Sequence, residues 1–290
     1  MITMPDELCS TRRLVGDPPT RGLRSSLMRL TLGLVLIGMA LSAGCRSQTP
    51  PGAAALAPTG SIRAALNFAN KVLARRDAPG GEPAGIAVDL ARELGRRLDL
   101  PVGFVTYDSA SAIADAAGTG AWDIAFLAAD PAREGTIAFT EPYLELEATY
   151  MVPAGSRIRA LNEVDVPGVR IAARPRSAYD LFLRRSLAHA ELVYPREAET
   201  DVDVLVSGRA EVLAGLRHAL ADTAATVPGV RMLEGRFASM QQAIGAPKGR
   251  DAAAVYLRQF VDDVKASGFV AKLIAASGAP GVSVAPPAKP

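Results

Sequence analysis

Short apolar runs alternate with amphipathic segments along residues 61–277 of this chain. Runs of five or six apolar residues are typical of buried strands, and apolar residues three or four positions apart are typical of helices. In the first half the pattern predicts, in turn, strand Ile62–Leu66, helix Val88–Leu98, strand Val102–Tyr107, helix Ala110–Ala117 and strand Asp123–Ala128. This alternation predicts an α/β fold with helices packed around a mostly parallel sheet.

The same alternation restarts near Gly168. It predicts strand Val169–Ala173, helix Tyr179–Leu187, strand Glu191–Tyr194, helix Asp201–Val206 and strands Glu211–Ala214 and Arg231–Leu233. An internal similarity accompanies this second series, because the segments 120–124 and 208–212 each place a glycine shortly before an acidic residue and an apolar strand. The pattern therefore predicts two similar lobes.

The N-terminal 44 residues have the composition of an export signal. Arginines precede an apolar run at 30–40, which is too short to span a membrane as a helix, and small residues follow it. We expect residues 1–44 to be a cleaved signal peptide, with Met28 as an alternative start. The ending Leu41-Ser42-Ala43-Gly44-Cys45 resembles a bacterial lipobox, which implies lipidation of Cys45. The alternative is an ordinary signal followed by a chance cysteine.

Both flanks of the predicted folded part contain little to bury. Residues 46–60 include Pro50-Pro51 and several alanines without periodicity, so residues 45–60 are predicted to be a lipidated flexible tether. The tail, residues 278–290, contains Pro280 and Pro286-Pro287 and is predicted to be disordered.

Charge and composition exclude several classes of function. The chain has 32 Lys+Arg and 30 Asp+Glu; five of these arginines and three of these acids lie in residues 1–44, so the charges balance from Cys45 onward. A nucleic-acid partner is not expected without a basic surface. With only Cys9 and Cys45 present, no internal disulfide is expected. His189 and His218 have no partner at metal-ligand spacing, so we expect surface histidines, no metal site and no cofactor.

Several segments together resemble family 3 of the extracellular solute-binding proteins, the receptors of polar amino-acid ABC importers. They are Gly85–Leu98, Trp122-Asp123-Ile124, Asp130-Pro131-Ala132-Arg133, Phe139–Tyr143 and Ile171–Leu183. The resemblance covers residues 61–277 and implies a two-lobed periplasmic-binding-protein-like type II fold. It implies crossover strands at Ala148–Pro153 and Gln241–Pro247, and final helices Ala252–Leu257 and Phe269–Ala275 that return to the first lobe. Lobe 1 is then 61–149 plus 248–277, and lobe 2 is 150–247.

The most informative candidate for ligand binding is Arg133. Asp130-Pro131 has the features of a helix start, which would place Arg133 in the first turn. Helix N-termini favour anions, and a guanidinium can hold a carboxylate through two parallel hydrogen bonds. The resemblance implies that Arg133 binds the carboxylate of the ligand. The alternative is an ion pair with Asp130 or Glu134 on the surface.

Further site candidates come from both predicted lobes. Ser177 is either a carboxylate donor, as the resemblance implies, or the N-cap of the following helix, and Arg176 stands where the family usually has glycine. Asn67 and Asn70 follow the first strand, where they either contact ligand or form a turn. Two aromatic residues either pack on the ligand or belong to the core: Phe68 and Tyr143.

The position where amino-acid-binding relatives hold the ligand ammonium with an aspartate is occupied here by Leu216. A buried ammonium without an acidic partner is costly. Either Asp130 or Glu141 replaces that aspartate, or the ligand is not an ordinary α-amino acid.

The resemblance implies the function of the substrate-binding component of an ABC importer. Such a monomer captures a small carboxylate-bearing solute, an amino acid or a related organic acid, by hinge closure and then docks on a membrane permease. No catalytic residue is expected. The alternatives are a periplasmic enzyme of the dehydratase type on the same fold, and a sensor that signals the presence of ligand without transport.

Overall fold

The computed structural model describes residues 53–287. The predicted signal peptide, Cys45 and the first part of the tether lie outside the described residues, so these assignments stay predictions. None of the helices between residues 53 and 287 is long and apolar enough to cross a membrane.

The first part of the fold alternates strands and helices as the apolar pattern predicted. Its elements are α1 (Ala53–Leu56), β1 (Ile62–Asn67), β2 (Arg75–Arg76), β3 (Pro83–Ala84), α2 (Ile86–Leu98), β4 (Val102–Tyr107), α3 (Ala110–Asp115) and β5 (Ile124–Ala128). Strand β1 pairs in parallel with β4 on one side and with β5 on the other. This sheet is the core of lobe 1.

The rest of the chain builds lobe 2, which repeats the arrangement, and adds the elements that return to lobe 1. Its elements are β6 (Ile137–Phe139), β7 (Leu144–Pro153), the 3-10 turn Leu161–Glu163, β8 (Arg170–Ala172), α4 (Ala178–Ser186), β9 (Glu191–Val193), α5 (Asp201–Val206), β10 (Val212–Leu216), α6 (Arg217–Thr226), β11 (Val230–Met232), β12 (Ala238–Pro247), α7 (Asp251–Ala266), α8 (Phe269–Ser277) and β13 (Val282–Val284). Strand β8 pairs in parallel with β9 and β10.

Two long strands, β7 and β12, join the lobes and pair antiparallel with each other. Strand β7 continues into lobe 2, where it pairs with β10 and β11, whereas β12 continues into lobe 1, where it pairs with β5 and β6. The predicted crossover strands are therefore present, and both begin earlier than predicted. Residues 242–247 pair with lobe 1, so the predicted end of lobe 2 at residue 247 is too late.

Helices α7 and α8 return to lobe 1, as expected. The apolar side chains of α7 continue at helical spacing beyond Leu257, through Phe260, Val261 and Val264, and all of them are buried. This continuation explains why the helix extends to Ala266 rather than ending at Leu257.

Both flanks contribute to the core, which corrects two predictions. Leu56 of α1 is fully buried in the core of lobe 1, so residues 53–60 are not a flexible tether. Strand β13 pairs antiparallel with β7, and Ala285 is 2% exposed, so the tail is not disordered over residues 278–287. These segments have no periodic pattern of their own, and their order comes from packing on surfaces that the rest of the chain builds.

Each lobe contains the same motif of hydrogen bonds around one arginine. This motif is the structural basis of the internal similarity between segments 120–124 and 208–212. In lobe 1, the backbone N–H and the guanidinium of Arg63 donate to Asp123, and the guanidinium also donates to the Gly120 carbonyl. In lobe 2, Arg170 makes the same set of bonds to Glu211 and to the Gly208 carbonyl. We call these two motifs the arginine clips. Each clip joins the starts of two neighbouring parallel strands.

Candidate functional site

A cavity of about 310 Å³ lies between the two lobes. Strands β1, β5 and β10 end at this cavity. Ligand sites in open α/β sheets lie at the ends of strands in the same way. Of the candidates from sequence, it is lined by Asn67, Asn70, Arg133, Arg176 and Ser177.

Arg133 lies in the cavity wall with 4% of its surface exposed. Its Nη1 donates to the Ala128 carbonyl at 2.8 Å, and its Nη2 donates to the Arg176 carbonyl at 3.1 Å. A guanidinium has five N–H donors, so three have no partner among the described residues. Burial lowers the pKa of Arg133, and the negative charge of Asp130 opposes this shift only in part. None of the ion pairs within residues 53–287 includes Arg133. The surface ion pair considered from sequence is therefore not formed.

The segment that carries Arg133 is a turn, not the predicted helix. Asp130 Oδ1 accepts a hydrogen bond from the backbone N–H of Ala132 at 2.9 Å, and residues 131–136 form consecutive turns before β6. Strand β6 begins at Ile137, directly after these turns. The residues whose pattern predicted the start of a helix therefore form an Asx turn.

Arg176 contacts lobe 1 through its side chain and its backbone. Its guanidinium donates to both carboxylate oxygens of Asp115 in α3, at 2.8 and 2.5 Å, and its carbonyl accepts from Arg133. The hydrogen bonds from Arg176 outweigh burial and lower the pKa of Asp115. Arg176 has a φ of 56°, a left-handed conformation that favours glycine. This conformation agrees with the glycine that the resemblance placed here.

Asp130 does not line the cavity. Its two carboxylate oxygens accept from Arg185 of α4 at 3.1 and 2.8 Å, which forms a second ion pair between the lobes. The expectation that Asp130 contacts the ligand is corrected accordingly, because its oxygens are committed to Arg185 and Ala132. Glu141 is exposed and also lies outside the cavity lining. Neither acid therefore lines the cavity.

The remaining polar candidates all line the cavity, but they differ in the hydrogen bonds that their side-chain oxygens make. Ser177 Oγ accepts from the Asp180 backbone N–H at 3.2 Å and caps α4, so the N-cap role is present, and the residue also lines the cavity. Asn67 Oδ1 accepts from the Ala69 backbone N–H at 3.1 Å and forms a turn. Asn70 is 7% exposed, and its Oδ1 has no hydrogen-bond partner.

The two aromatic candidates lie away from the cavity, which corrects the expectation that they pack on the ligand. Tyr143 precedes β7 and is fully buried in the core of lobe 1, where its ring meets Phe126 edge-on at a centroid distance of 6.1 Å. Phe68 lies under the Arg76 guanidinium, 4.9 Å from the ring centre. Core packing and a cation–π contact therefore account for these rings.

Two cavity residues were missed or misplaced by the sequence reasoning. Asp201 begins α5, lines the cavity and lies 3.9 Å from Arg174, measured from Oδ1 to Nη2. His218 was predicted to be a surface residue, but it is 4% exposed, and burial lowers its pKa to about 4. The apolar neighbours of His218 in sequence were the available signal, whereas His189 is exposed as predicted.

Within residues 53–287, no group of three or more His, Cys, Asp or Glu side chains is placed to hold a metal ion.

A comparison with known proteins identifies the family that has this architecture. Residues 73–276 match the bacterial extracellular solute-binding proteins, family 3. The chain belongs to this family. As members of it do, this family 3 solute-binding protein has two lobes around a cleft. A search of the curated proteins found no match.

Solved structures similar to this family 3 solute-binding protein share its fold. The solute receptor for L-cysteine of Neisseria gonorrhoeae is 20% identical with a TM-score of 0.67, covering 79% of this chain and 94% of that one. An ancestral amino acid-binding protein, a precursor of cyclohexadienyl dehydratase, is 21% identical with a TM-score of 0.65, covering 78% and 98%. The substrate-binding protein AbpA of Streptococcus pneumoniae, bound to L-arginine, is 16% identical with a TM-score of 0.65, covering 77% and 96%.

Proposed function

We propose that this protein is the substrate-binding component of an ABC importer and captures a small carboxylate-bearing solute, an amino acid or a related organic acid, between its lobes. The observation that carries the proposal is the buried guanidinium of Arg133. It borders the interlobe cavity, keeps three free N–H donors and has no acidic partner among the described residues. A carboxylate in the cavity supplies the missing negative charge and accepts two parallel hydrogen bonds.

Ligand binding is coupled to closure because the contacts around Arg133 come from both lobes. Arg133 of lobe 1 donates to the Arg176 carbonyl of lobe 2, and two ion pairs, Arg176–Asp115 and Arg185–Asp130, also connect the lobes. A ligand stabilises the closed state only through contacts that the open state lacks. A carboxylate held by Arg133 beside the Ser177 end of α4 meets that requirement.

The proposal extends to the cellular setting of the protein. Membership in an extracellular family supports export by the predicted signal peptide, and the lipobox-like ending supports attachment to a membrane through Cys45. The partner would be a membrane permease that recognises the closed monomer. The dehydratase and sensor alternatives have no observation in their favour among residues 53–287.

A thermal-shift screen of the full chain against amino acids, hydroxy acids, keto acids and dicarboxylates tests the proposal. A carboxylate present at 100 times its dissociation constant should stabilise the folded state by about 2.7 kcal/mol. The methyl ester of the best ligand, in which every carboxylate is esterified, is the matched control and should produce little shift. A panel in which no carboxylate stabilises the protein, or in which esters act as well as acids, would contradict the proposed function.

Replacing Asp130 with asparagine should weaken ligand binding without removing any ligand contact. The substitution D130N removes the charge that holds Arg185, and Asp130 is 6% exposed at its side chain whereas Arg185 is 47% exposed. For a pair that is half open to solvent we expect a loss of about 1 kcal/mol from the closed state, which corresponds to roughly a fivefold rise in Kd. Calorimetry measures Kd, and solution scattering should show a more open apo form.

The matched control is D201N, because Asp201 is an acid in the cavity wall that forms no ion pair between the lobes. It should leave the apo scattering profile unchanged. An unchanged profile for D130N as well would show that the Asp130–Arg185 pair does not favour the closed state.

A further inference from the structure

The loop that brings Arg176 to the cavity wall has a backbone conformation that other residues must stabilise. The Ser177 N–H donates to the Arg174 carbonyl at 3.3 Å, which closes a turn, and Arg176 has a φ of 56° within that turn. A residue with a side chain avoids this left-handed region because its Cβ crowds the backbone. Arg176 therefore requires contacts that hold its backbone in place.

The Asp180 carboxylate provides such a contact. Asp180 lies in the first turn of α4 and is fully buried, and its Oδ2 accepts a hydrogen bond from the Arg176 backbone N–H at 2.7 Å. In the opposite direction, the Asp180 backbone N–H donates to Ser177 Oγ at 3.2 Å. Hydrogen bonds to an ionised carboxylate are stronger than those between neutral groups. One buried side chain therefore joins the Arg176 turn to the start of α4.

Two further partners hold the Asp180 carboxylate itself in place. Its Oδ1 accepts from the Tyr194 hydroxyl at 2.9 Å, and Arg184 Nε donates to both carboxylate oxygens at 3.3 and 3.2 Å. A buried carboxylate is stable only when it is hydrogen-bonded and paired with a cation, and these bonds meet both conditions. The named partners of Asp180 all belong to lobe 2, so its effect on lobe 1 runs through Arg176.

Arg176 forms two contacts with lobe 1 at once. Its carbonyl accepts from Arg133 at 3.1 Å, and its guanidinium donates to both carboxylate oxygens of Asp115. We propose that Asp180 is a positioning residue: it holds Arg176 in the conformation in which lobe 2 can close over Arg133. The inference rests on the proposed function, in which Arg133 binds the carboxylate. A guanidinium that is already oriented by the Arg176 carbonyl costs less to order when a carboxylate arrives.

The ratio of closed to open molecules in the absence of ligand tests the inference. Spin labels are placed on T119C and A188C in a full chain that also carries C9S and C45S. Thr119 follows α3 of lobe 1 and Ala188 follows α4 of lobe 2, and both residues are exposed. Each of these helices takes part in an ion pair between the lobes, so the distance between the labels should increase when the cleft opens. Double electron–electron resonance measures the two populations.

The variant D180N should lower the ratio of closed to open molecules at least about fivefold, because one amide oxygen does not replace two carboxylate acceptors. D180S takes its place if D180N does not fold, with the same expected result. The matched control is Y194F, which removes another bond of the same carboxylate and leaves the bond to Arg176 intact. It should lower the free energy of unfolding in urea and leave the ratio unchanged.

Three results would overturn the inference. They are an unchanged ratio in the Asp180 variant, an equal fall in Y194F, and a wild-type chain without a detectable closed population.

A double-mutant cycle with D115N shows whether Asp180 acts through Arg176. Asp115 belongs to lobe 1, and Arg176 bonds to both acids. The side chains of the Arg176–Asp115 pair are 54% and 58% exposed. D115N alone should therefore lower the ratio only about threefold. The double variant should fall no further than D180N, whereas independent effects would multiply to about fifteenfold and contradict the proposed route.

A binding measurement connects this result to the proposed function. Each carboxylate of the screening panel that binds the wild type should bind D180N more weakly, by up to the factor measured for closure. Unchanged affinities in D180N would contradict the inference and leave the proposed function standing. If no carboxylate of the panel binds the wild type, the proposed function fails, and the populations measured without ligand still decide whether Asp180 positions Arg176.

Discussion

Replacing Arg133 with methionine should abolish carboxylate binding and leave the protein folded. Charge-assisted hydrogen bonds contribute about 1.5–3 kcal/mol each, so the loss of a two-bond contact should raise Kd by at least about 100-fold. The apo protein should lose little stability, because the same change removes a buried charge that has no acidic partner among the described residues. Isothermal titration calorimetry gives Kd, and urea unfolding gives the free energy of unfolding.

Two further variants sharpen this prediction. R133K keeps the positive charge and loses the planar fork, so its affinity should fall between those of the wild type and R133M. R96M changes an arginine of α2 whose side chain is 71% exposed, and it should leave Kd unchanged. Retention of near wild-type affinity in R133M would remove Arg133 from the binding site and, with it, the observation on which the proposed function rests.

Replacing Asp123 with asparagine should produce the largest loss of stability in the set. The Asp123 carboxylate is fully buried and accepts hydrogen bonds from Arg63 and Arg250. Removing one member of such a buried network typically costs about 3–5 kcal/mol, because the remaining charges lose their partner. For a folded region of this size, 3 kcal/mol corresponds to a fall in melting temperature of roughly 6–12 °C.

The arginine clip of lobe 2 provides the matched control. Glu211 makes the same kinds of bond to Arg170, but its side chain is 38% exposed and that of Arg170 is 42% exposed. Because solvent screens this pair, E211Q should cost less than about 1 kcal/mol. Equal losses in D123N and E211Q would show that burial does not decide the strength of the clips.

The contribution of Asp123 should also depend on pH. Burial would raise the pKa of Asp123, but the hydrogen bonds from Arg63 and Arg250 outweigh it and leave the pKa below its ordinary value of 3.8. A carboxyl group with a lowered folded-state pKa stabilises the protein above its unfolded-state pKa, and this stability is lost as the pH falls through the folded-state pKa. The stabilities of wild type and D123N in urea unfolding should therefore begin to converge below about pH 4 and should become equal only below the lowered folded-state pKa.

Most of the sheet could be predicted from sequence because buried strands leave a local signal. The bounds of β4 were predicted to the residue, and those of β1 and β5 to within one residue. The resemblance added what local patterns do not contain, namely the two crossover strands. Leu56 and β13 could not be found in this way, since their burial depends on surfaces formed by distant parts of the chain.

The site was predictable only in part, for a similar reason. The motif at Asp130–Arg133 identified an arginine that does reach the cavity, but its partner Arg176 is 43 residues away in sequence. The bond that removes Asp130 from the cavity comes from Arg185, 55 residues away. Residues this far apart in sequence form no short motif, so a single sequence does not reveal that they are paired. His218 was misplaced although its apolar neighbours Ala219 and Leu220 are a local signal of burial.

The path of the chain through the two lobes has a consequence for the order of folding. Lobe 2 is built mainly from one continuous stretch between β7 and β12, whereas the core of lobe 1 joins α1 to α7 near the opposite end of the described chain. A ribosome therefore delivers all of lobe 2 before it delivers Leu257, Phe260 and Val264. Contacts between residues that are far apart in sequence form slowly during folding. We expect a nascent chain to remain without a complete first lobe until synthesis is nearly finished.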